Sequence, residues 1–285
     1  MSLQDTNFSK NFVLKANGKQ LKLQQAAVMG IVNLTPDSFY VKSRFNDAKK
    51  LLTVVEKQIK EGAAIIDIGA MSSRPGATEI SEEEELKRLL PSLKIIRKTF
   101  HEVFISIDTY RSQLAYTAAE EGADLINDIS AGEMDKAMMR VVAKTKLPYC
   151  MMHIKGKPAT MQQKPEYKNV VKEVKKHLEK KIKKAKDAGI KQLIIDPGFG
   201  FGKTIEHNYK LLNQLNELNS LGYPILAGLS RKSMINKVLN INAIDALNGT
   251  SVLNTIALLR GAKILRVHDV KEAVEAVRLV GFCSR

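Results

Sequence analysis

Eight times along the chain a short apolar, mostly β-branched run stops abruptly at charged or amide residues. AAVMGIVNL ends at Asn33, Thr35 and Asp37; AAIIDIG carries Asp67 and stops before Ser73 and Arg74; VFISID ends at Asp108. DLINDI ends at Asn127 and Asp128, PYCMMH at His153, and QLIID at Asp196. PILAGLSRK closes on Ser230, Arg231 and Lys232, and KILRVHD on Arg266, His268 and Asp269. Segments of helix length separate most of these runs. Strands buried on both faces and alternating with helices read as a parallel sheet. Eight such units in 285 residues predict an α/β fold, a closed (β/α)8 barrel, with its active site at the C-terminal strand ends. The polar tips then converge on one mouth, and an enzyme is expected.

At 44% hydrophobic residues the chain can fill one barrel core with little left for a second domain, so residues 1–285 read as a single domain. No apolar stretch approaches the roughly 18–20 residues of a membrane span, so no membrane partner is expected. The start, MSLQDTNFSKNF, has no apolar signal core, and nothing in it directs secretion. Cys150 sits inside an apolar strand and reads as a buried small thiol; with Cys283 it forms no metal-like spacing. A reducing cytoplasm fits.

A net charge of +15 raises nucleic acid as a partner. The excess concentrates in KNVVKEVKKHLEKKIKKAKDAGIK, Lys168 to Lys191, where Val171, Val174, Leu178, Ile182 and Ala185 recur at helical spacing. The lysines are expected on the solvated outer face of that helix. No aromatic residues interleave to stack bases, so no nucleic-acid partner is expected, although the field could draw in small anions.

Residues 12–23, with Asn17-Gly18 at the turn, predict an N-terminal β-hairpin at the bottom of a barrel running from about 27 to 282. Helices are expected at 46–61, 81–100, 112–121, 135–144, 169–188, 204–220, 232–239, 246–260 and 270–282. Ser81 before four glutamates is a helix start, a cap followed by acids at the positive end of the dipole. The segments 35–45 and 70–80 are long for strand-to-helix loops and suggest binding loops at the mouth.

The sharpest local motif is IIDPGFGFGKT, Ile194 to Thr204, which invites a phosphate-loop reading. The spacing defeats it: that motif needs glycine where Pro197 stands, and proline fixes φ and removes an N–H. Asp196 is the more telling group, since a carboxylate can pair bidentately with an amidine-like donor set. Asp108, Asn127 and Asp196 end three central strands. Each alone is as readily a helix cap; together with Lys232 they suggest a heterocycle with several ring donors. Ser230-Arg231-Lys232-Ser233 and Arg266-Val267-His268-Asp269 put cations after the last two strands, where barrels frequently hold phosphate. His153 reads as a packed histidine in preference to a ligand.

In order along the chain, MGIVNLTPDSF, DIGAMSSRPGA, ISIDTYR, LINDISAG, MMHIKGKPATMQ, DPGFGFGKTIEHN, GLSRKSMI and RVHDV resemble the successive signatures of the dihydropteroate synthases, from Met29 to about Val280. The resemblance implies a TIM barrel, a homodimer, and condensation of 6-hydroxymethyl-7,8-dihydropterin diphosphate with p-aminobenzoate in folate biosynthesis, with Mg²⁺ as cofactor and sulfonamides as mimics of p-aminobenzoate. It places Asp108, Asn127, Ile129, Met151 (or Met152), Asp196 and Lys232 around the pterin. Asn33, Arg74, Arg266 and His268 fall on the diphosphate, with Asn33 also on the metal. Phe39, Ser73, Arg74, Pro75, Phe201, Ser230 and Lys232 fall on p-aminobenzoate, and Lys232, Asp108 and Arg266 carry the chemistry. The first loop departs from the family: Tyr40, Val41, Lys42 and Ser43 stand where Ser-Asp-Gly-Gly is common. Met71 and Ser73 replace commoner residues in the second. Rival readings are a methyltetrahydrofolate-dependent methyltransferase on the same barrel and a non-catalytic pterin-binding homologue.

Overall fold

The computed structural model describes residues 11–34, 44–71, 80–156, 158 and 160–283. Strands β1 (Val13–Ala16) and β2 (Lys19–Lys22) form an antiparallel hairpin. The eight predicted apolar runs are β3 (Ala27–Asn33), β4 (Ile65–Gly69), β5 (Phe104–Asp108), β6 (Leu125–Asp128), β7 (Tyr149–Met152), β8 (Leu193–Asp196), β9 (Ile225–Ala227) and β10 (Ala262–Val267). They close into one parallel barrel in the order β10-β3-β4-β5-β6-β7-β8-β9. Around it lie α1 (Arg44–Lys60), α2 (Glu82–Thr99), α3 (Ser112–Glu120), α4 (Met138–Thr145), α5 (Val170–Asp187), α6 (Ile205–Asn213), α7 (Ser233–Leu239), α8 (Leu247–Leu259) and α9 (Val270–Cys283).

The hairpin turns at Asn17 and Gly18, both with positive φ (49° and 76°), which matches the right-handed twist of the flanking strands. The Asn17 amide donates to Ala123 O and Asp124 Oδ1, and Lys19 Nζ lies 2.7 Å from Asp124 Oδ2. The Gln192 side chain pairs with both backbone groups of Lys15. Residues 123–124 and 192 lead into β6 and β8, so the hairpin lies across the N-terminal end of the barrel, where it was expected. Asp124 also receives Arg97 and the Ile105 N–H, which ties α2 and β5 to the same carboxylate.

Three expected helices are corrected. α4 begins at Met138 rather than at residue 135, because the Asp135 carboxylate is used as an acceptor for the Ser112 and Ala137 N–H groups. The helix expected over 204–220 stops at Asn213 and continues as a 3-10 helix, Leu215–Leu221; Leu215 and Leu218, three apart, stack on its buried side. On α5 the lysines do not all face water. Lys181 is buried, donating to Ala131 O at 3.0 Å and pairing with Glu133 at 2.9 Å. Its position, three after Leu178 and four before Ala185, is on the apolar stripe. Ser81 caps α2 as expected, accepting from the Glu84 N–H. Among the described residues no helix is long and apolar enough to cross a membrane.

Candidate active site

The ladder register sets the mouth of the barrel. Asn33 aligns with Gly69, Gly69 with Asp108, Asp108 with Asn127, and Asn127 with Cys150, a ring across five neighbouring strands. Met152 aligns with Asp196 one strand further on. At Gly69 the ring carries no side chain, and the position faces the Asp108 side chain directly. None of the three strand-tip acceptors is a helix cap. The caps of α3, α4 and α6 are Arg111, Ala137 and Thr204.

Below the ring, Asp67 is fully buried and joins the cluster from β4. Arg266, from β10, reaches across to it. Its Nε lies 2.6 Å from Asp67 Oδ2 and its NH2 2.6 Å from Asp108 Oδ2. The Asn127 amide nitrogen lies 3.3 Å and 3.4 Å from the two Asp67 oxygens. Burial pushes the Asp108 carboxyl up to about 7, against the pull of Arg266 and with the help of the nearby Asp67 charge. The same carboxylates, overcoming burial, hold Arg266 firmly protonated. Asp67 was read from the sequence only as part of an apolar run; a charge inside a strand buried on both faces was the available signal.

Asp196 is buried at the end of β8, and the Gly198 N–H donates to its Oδ1 at 2.7 Å. Burial raises its pKa, opposed first by the Lys232 charge. Lys232 rises from the N-cap position of α7. Its Nζ donates to Phe199 O and sits 4.8 Å over the Phe201 ring. Burial lowers its pKa to about 8, opposed by Asp196. Gly200 leaves room for this side chain, since a Cβ there would lie 3.1 Å from Lys232 Cδ. Asp196, Phe201 and Lys232 thus share one wall of the mouth.

Next to this wall Ser230 Oγ lies 3.0 Å from His268 Nδ1 and accepts the His268 N–H at 3.2 Å, which joins the loops after β9 and β10. Arg231 is not available as an anion-binding cation. It forms a two-point pair with Asp269 and donates to the carbonyls of Ala243 and Ile244, so its task is to fasten the loops after β9 and β10 together.

The apolar wall is Met152 rather than Met151. Side chains alternate along a strand, and Met151 falls on the face of Tyr149 and Asp128, whose side chains bond at 2.6 Å toward the helix layer. Met152 instead packs with Ile129, Ile154 and Met161, against which Phe201 and Tyr110 also lie. His153 is a packed histidine, as expected: it is buried, its Nδ1 is 3.0 Å from Lys203 Nζ, and burial holds its ring far below the usual imidazole range. Phe39, Tyr40, Val41, Lys42, Ser43, Ser73, Arg74 and Pro75 lie outside the described residues. A cavity of about 420 Å³ between Lys22, Val274 and Arg278 lies at the opposite, hairpin end, away from these groups.

A strand-tip cluster of acceptors and cations at a barrel mouth defines a ligand site of the barrel-enzyme kind. The family model described as pterin binding enzyme matches residues 29–268. A dihydropteroate synthase of Haemophilus influenzae is 47% identical over 268 residues, covering 93% of this chain and 97% of that one. The crystal structure of the Yersinia pestis dihydropteroate synthase with a sulfonamide drug complex superposes with a TM-score of 0.90 at 40% identity, covering 95% and 99% of the two chains. That of Xanthomonas albilineans with 4-aminobenzoic acid superposes at 0.88 and 36%, covering 96% and 98%. The chain belongs to the pterin-binding enzymes and, within them, to the dihydropteroate synthases, transferases of folate synthesis.

Proposed function

We propose that this mouth seats the pterin of 6-hydroxymethyl-7,8-dihydropterin diphosphate on Asp108, Asn127, Asp196 and Lys232, and joins it to p-aminobenzoate with release of diphosphate. The observation that carries the reading is the convergence of buried Asn127 and Asp196 with half-buried Asp108 and Lys232, none of whose side chains caps a helix. A pterin ring presents an amino group beside ring N–H donors, and a buried carboxylate supplies two matching acceptor oxygens. Ile129 and Met152 would line its apolar faces. Ser230, Lys232 and Phe201, with Phe39, Ser73, Arg74 and Pro75, would receive p-aminobenzoate.

The exocyclic C–O bond breaks first, its electron pair leaving with the diphosphate, and the pterin carries the resulting positive charge. The neutral amine of p-aminobenzoate then forms the C–N bond and loses a proton. Anionic Asp108 and Asp196, fixed in a water-poor mouth, favour the cationic pterin, while Arg266 and His268 face the departing anion. Asn33, in register with the Asp108 ring, offers the hard amide oxygen that Mg²⁺ accepts alongside phosphate oxygens. Among the described residues no group of three or more His, Cys, Asp or Glu side chains is arranged to hold a metal, so Asn33 would act together with substrate oxygens. Bound there, Mg²⁺ would neutralise charge on the diphosphate.

The exposed apolar side chains Val238, Leu239, Ile244, Val252, Leu279 and Phe282 gather on the last three helices and their connections, a face suited to a second copy in a homodimer. The chain is read as one pterin-binding unit acting in the cytoplasm, where free Cys150 and Cys283 would stay reduced. The functional test is diphosphate release from the pterin diphosphate. Release that requires p-aminobenzoate and Mg²⁺ is expected; release indifferent to p-aminobenzoate would contradict the condensation.

A further inference from the structure

The glycine-rich turn between β8 and α6 holds a buried charge to which the pterin reading gives no task. Lys203 is 3% exposed. Its Nζ lies 2.8 Å from Gly198 O, 3.1 Å from Phe201 O and 3.0 Å from His153 Nδ1. Burial pulls the Lys203 pKa well below the usual lysine range, opposed by the Asp196 charge; the two carbonyls and a neutral His153 Nδ1 around Nζ match the three N–H donors of an ammonium. The turn whose glycines resemble an anion cradle therefore points carbonyls inward at a cation: Gly198 and Phe201 at Lys203, and Phe199 at Lys232.

The partners of Lys203 are the pieces that shape the site. Gly198 donates its N–H to Asp196 Oδ1 and gives its carbonyl to Lys203. Phe201 gives its carbonyl to Lys203 while its ring lies under the Lys232 ammonium. His153 is bound in from the other side. Its N–H donates to Asp196 O at 2.9 Å, and Gly198, at φ 69°, presses so close that a Cβ would come within 1.9 Å of His153 O. A neutral imidazole is required for Nδ1 to accept, and burial, with Lys203, His177 and Lys155 adding positive charge nearby, keeps the ring neutral.

We propose that Lys203 is a positioning residue for the condensation: its caged ammonium, braced by His153, fixes the turn so that Asp196 faces the pterin and Phe201 faces p-aminobenzoate. This rests on the reading of Asp196 as a pterin acceptor. The charge contributes as well as the geometry. Lys232, Arg266 and Lys203 all act on the Asp196 carboxylate from around it, with the Cys150 thiol facing it from β7. Removing the Lys203 cation makes the protonated carboxyl, which turns an O–H toward one of two ring donors, easier to form.

Lys203→Met keeps the reach of the side chain and removes the three donors. Measured by calorimetry with free 6-hydroxymethylpterin, affinity at neutral pH is expected to fall about tenfold, the scale of one charge-assisted contact. Asp108 and Asp196 both contribute to the acid limb of binding, and because Lys203 acts on Asp196 the limb should extend to higher pH, a change that loosened packing alone would not produce. In steady state, KM for p-aminobenzoate should rise by a larger factor than kcat falls. His153→Leu, which removes one acceptor, should shift both quantities the same way, and His153→Asn, which returns an acceptor near the Nδ1 position, should restore most of the loss. Unchanged limb and KM in Lys203→Met overturn the proposal; should that variant not fold, equal behaviour of the two His153 variants overturns it. Asp196→Asn separates the two levels. If it leaves pterin affinity intact, the site reading falls and this proposal with it; if it abolishes affinity while Lys203→Met does not matter, only this proposal falls.

Discussion

Arg266 and Asp67 face each other across the barrel at 2.6 Å, Nε to Oδ2, from strands β10 and β4 that lie on either side of β3. The second arm of the same guanidinium reaches Asp108 at 2.6 Å. Asp67 thus fixes the arginine while Asp108, nearer the mouth, shares it. In the proposed reading, a diphosphate beside Arg266 would compete for the arm held by Asp108 without releasing the arm held by Asp67, and would leave Asp108 to the pterin ring.

The pH dependence of pterin affinity should report this arrangement. Burial pushes Asp108 up to about 7, and in the proposed seat it offers both oxygens to ring donors only when ionised, so affinity should rise with pH through that region. Arg266 favours the carboxylate, and its loss in Arg266→Ala raises the Asp108 pKa and moves the limb to higher pH. The Asp67 charge disfavours the carboxylate, so Asp67→Asn moves the limb to lower pH. Calorimetric titrations with a pterin lacking phosphates, from pH 5.5 to 8.5 (about 1.5 units either side of that pKa), check this; shifts of the same sign would refute it.

Selectivity between ligands gives a separate check. Arg266→Ala and His268→Ala should weaken binding of the pterin diphosphate far more than binding of the phosphate-free pterin, because Arg266 near the end of β10 and His268 in the link to α9 put cationic and N–H donors beside one helix N-terminus. Equal losses for both ligands would mean that they shape the barrel instead.

Asp108 should also cost the empty protein stability at high pH. Its folded pKa, about 7, lies above the ordinary 3.8, so the native state holds an extra proton between those values. The stabilising contribution is complete below the unfolded pKa and is lost as pH rises through the folded one. Asp108→Asn, which cannot ionise, should therefore gain about 1–4 kcal/mol on the wild type between pH 5 and pH 8, while its pterin binding fails. Urea unfolding at the two pH values measures this, and a constant difference between the proteins would remove Asp108 as the titrating group.

The fold was legible because its signal is repeated: eight two-face-buried runs, each ending in polar residues, admit few architectures. Asp108, Asn127 and Asp196 were legible by position, at strand ends, and Lys232 by its place in the turn after the seventh barrel strand. What escaped depends on which way a side chain turns. Met151 and Met152 are equivalent in composition, and only strand parity, set by the register with Asp128 and Asp196, sends Met152 to the mouth. Arg231 looks like an anion-binding cation until Asp269, distant in sequence, is seen to consume it. Lys181 hides in a lysine-rich helix because its carbonyl partner, Ala131, belongs to another loop. Asp67 hides because its partner, Arg266, lies six strands further along the chain and meets it only because the barrel closes, with β3 alone between their strands.

The reading of the mouth as a pterin seat rests most directly on Asp196, and calorimetry of 6-hydroxymethylpterin binding to Asp196→Asn tests it. The amide replaces one acceptor oxygen with a donor and turns an NH₂ group against a ring donor. A loss of about 2–4 kcal/mol is expected, roughly thirtyfold to a thousandfold in affinity, with the barrel still folded. Affinity within a few-fold of the wild type would place the pterin elsewhere and contradict the site described above.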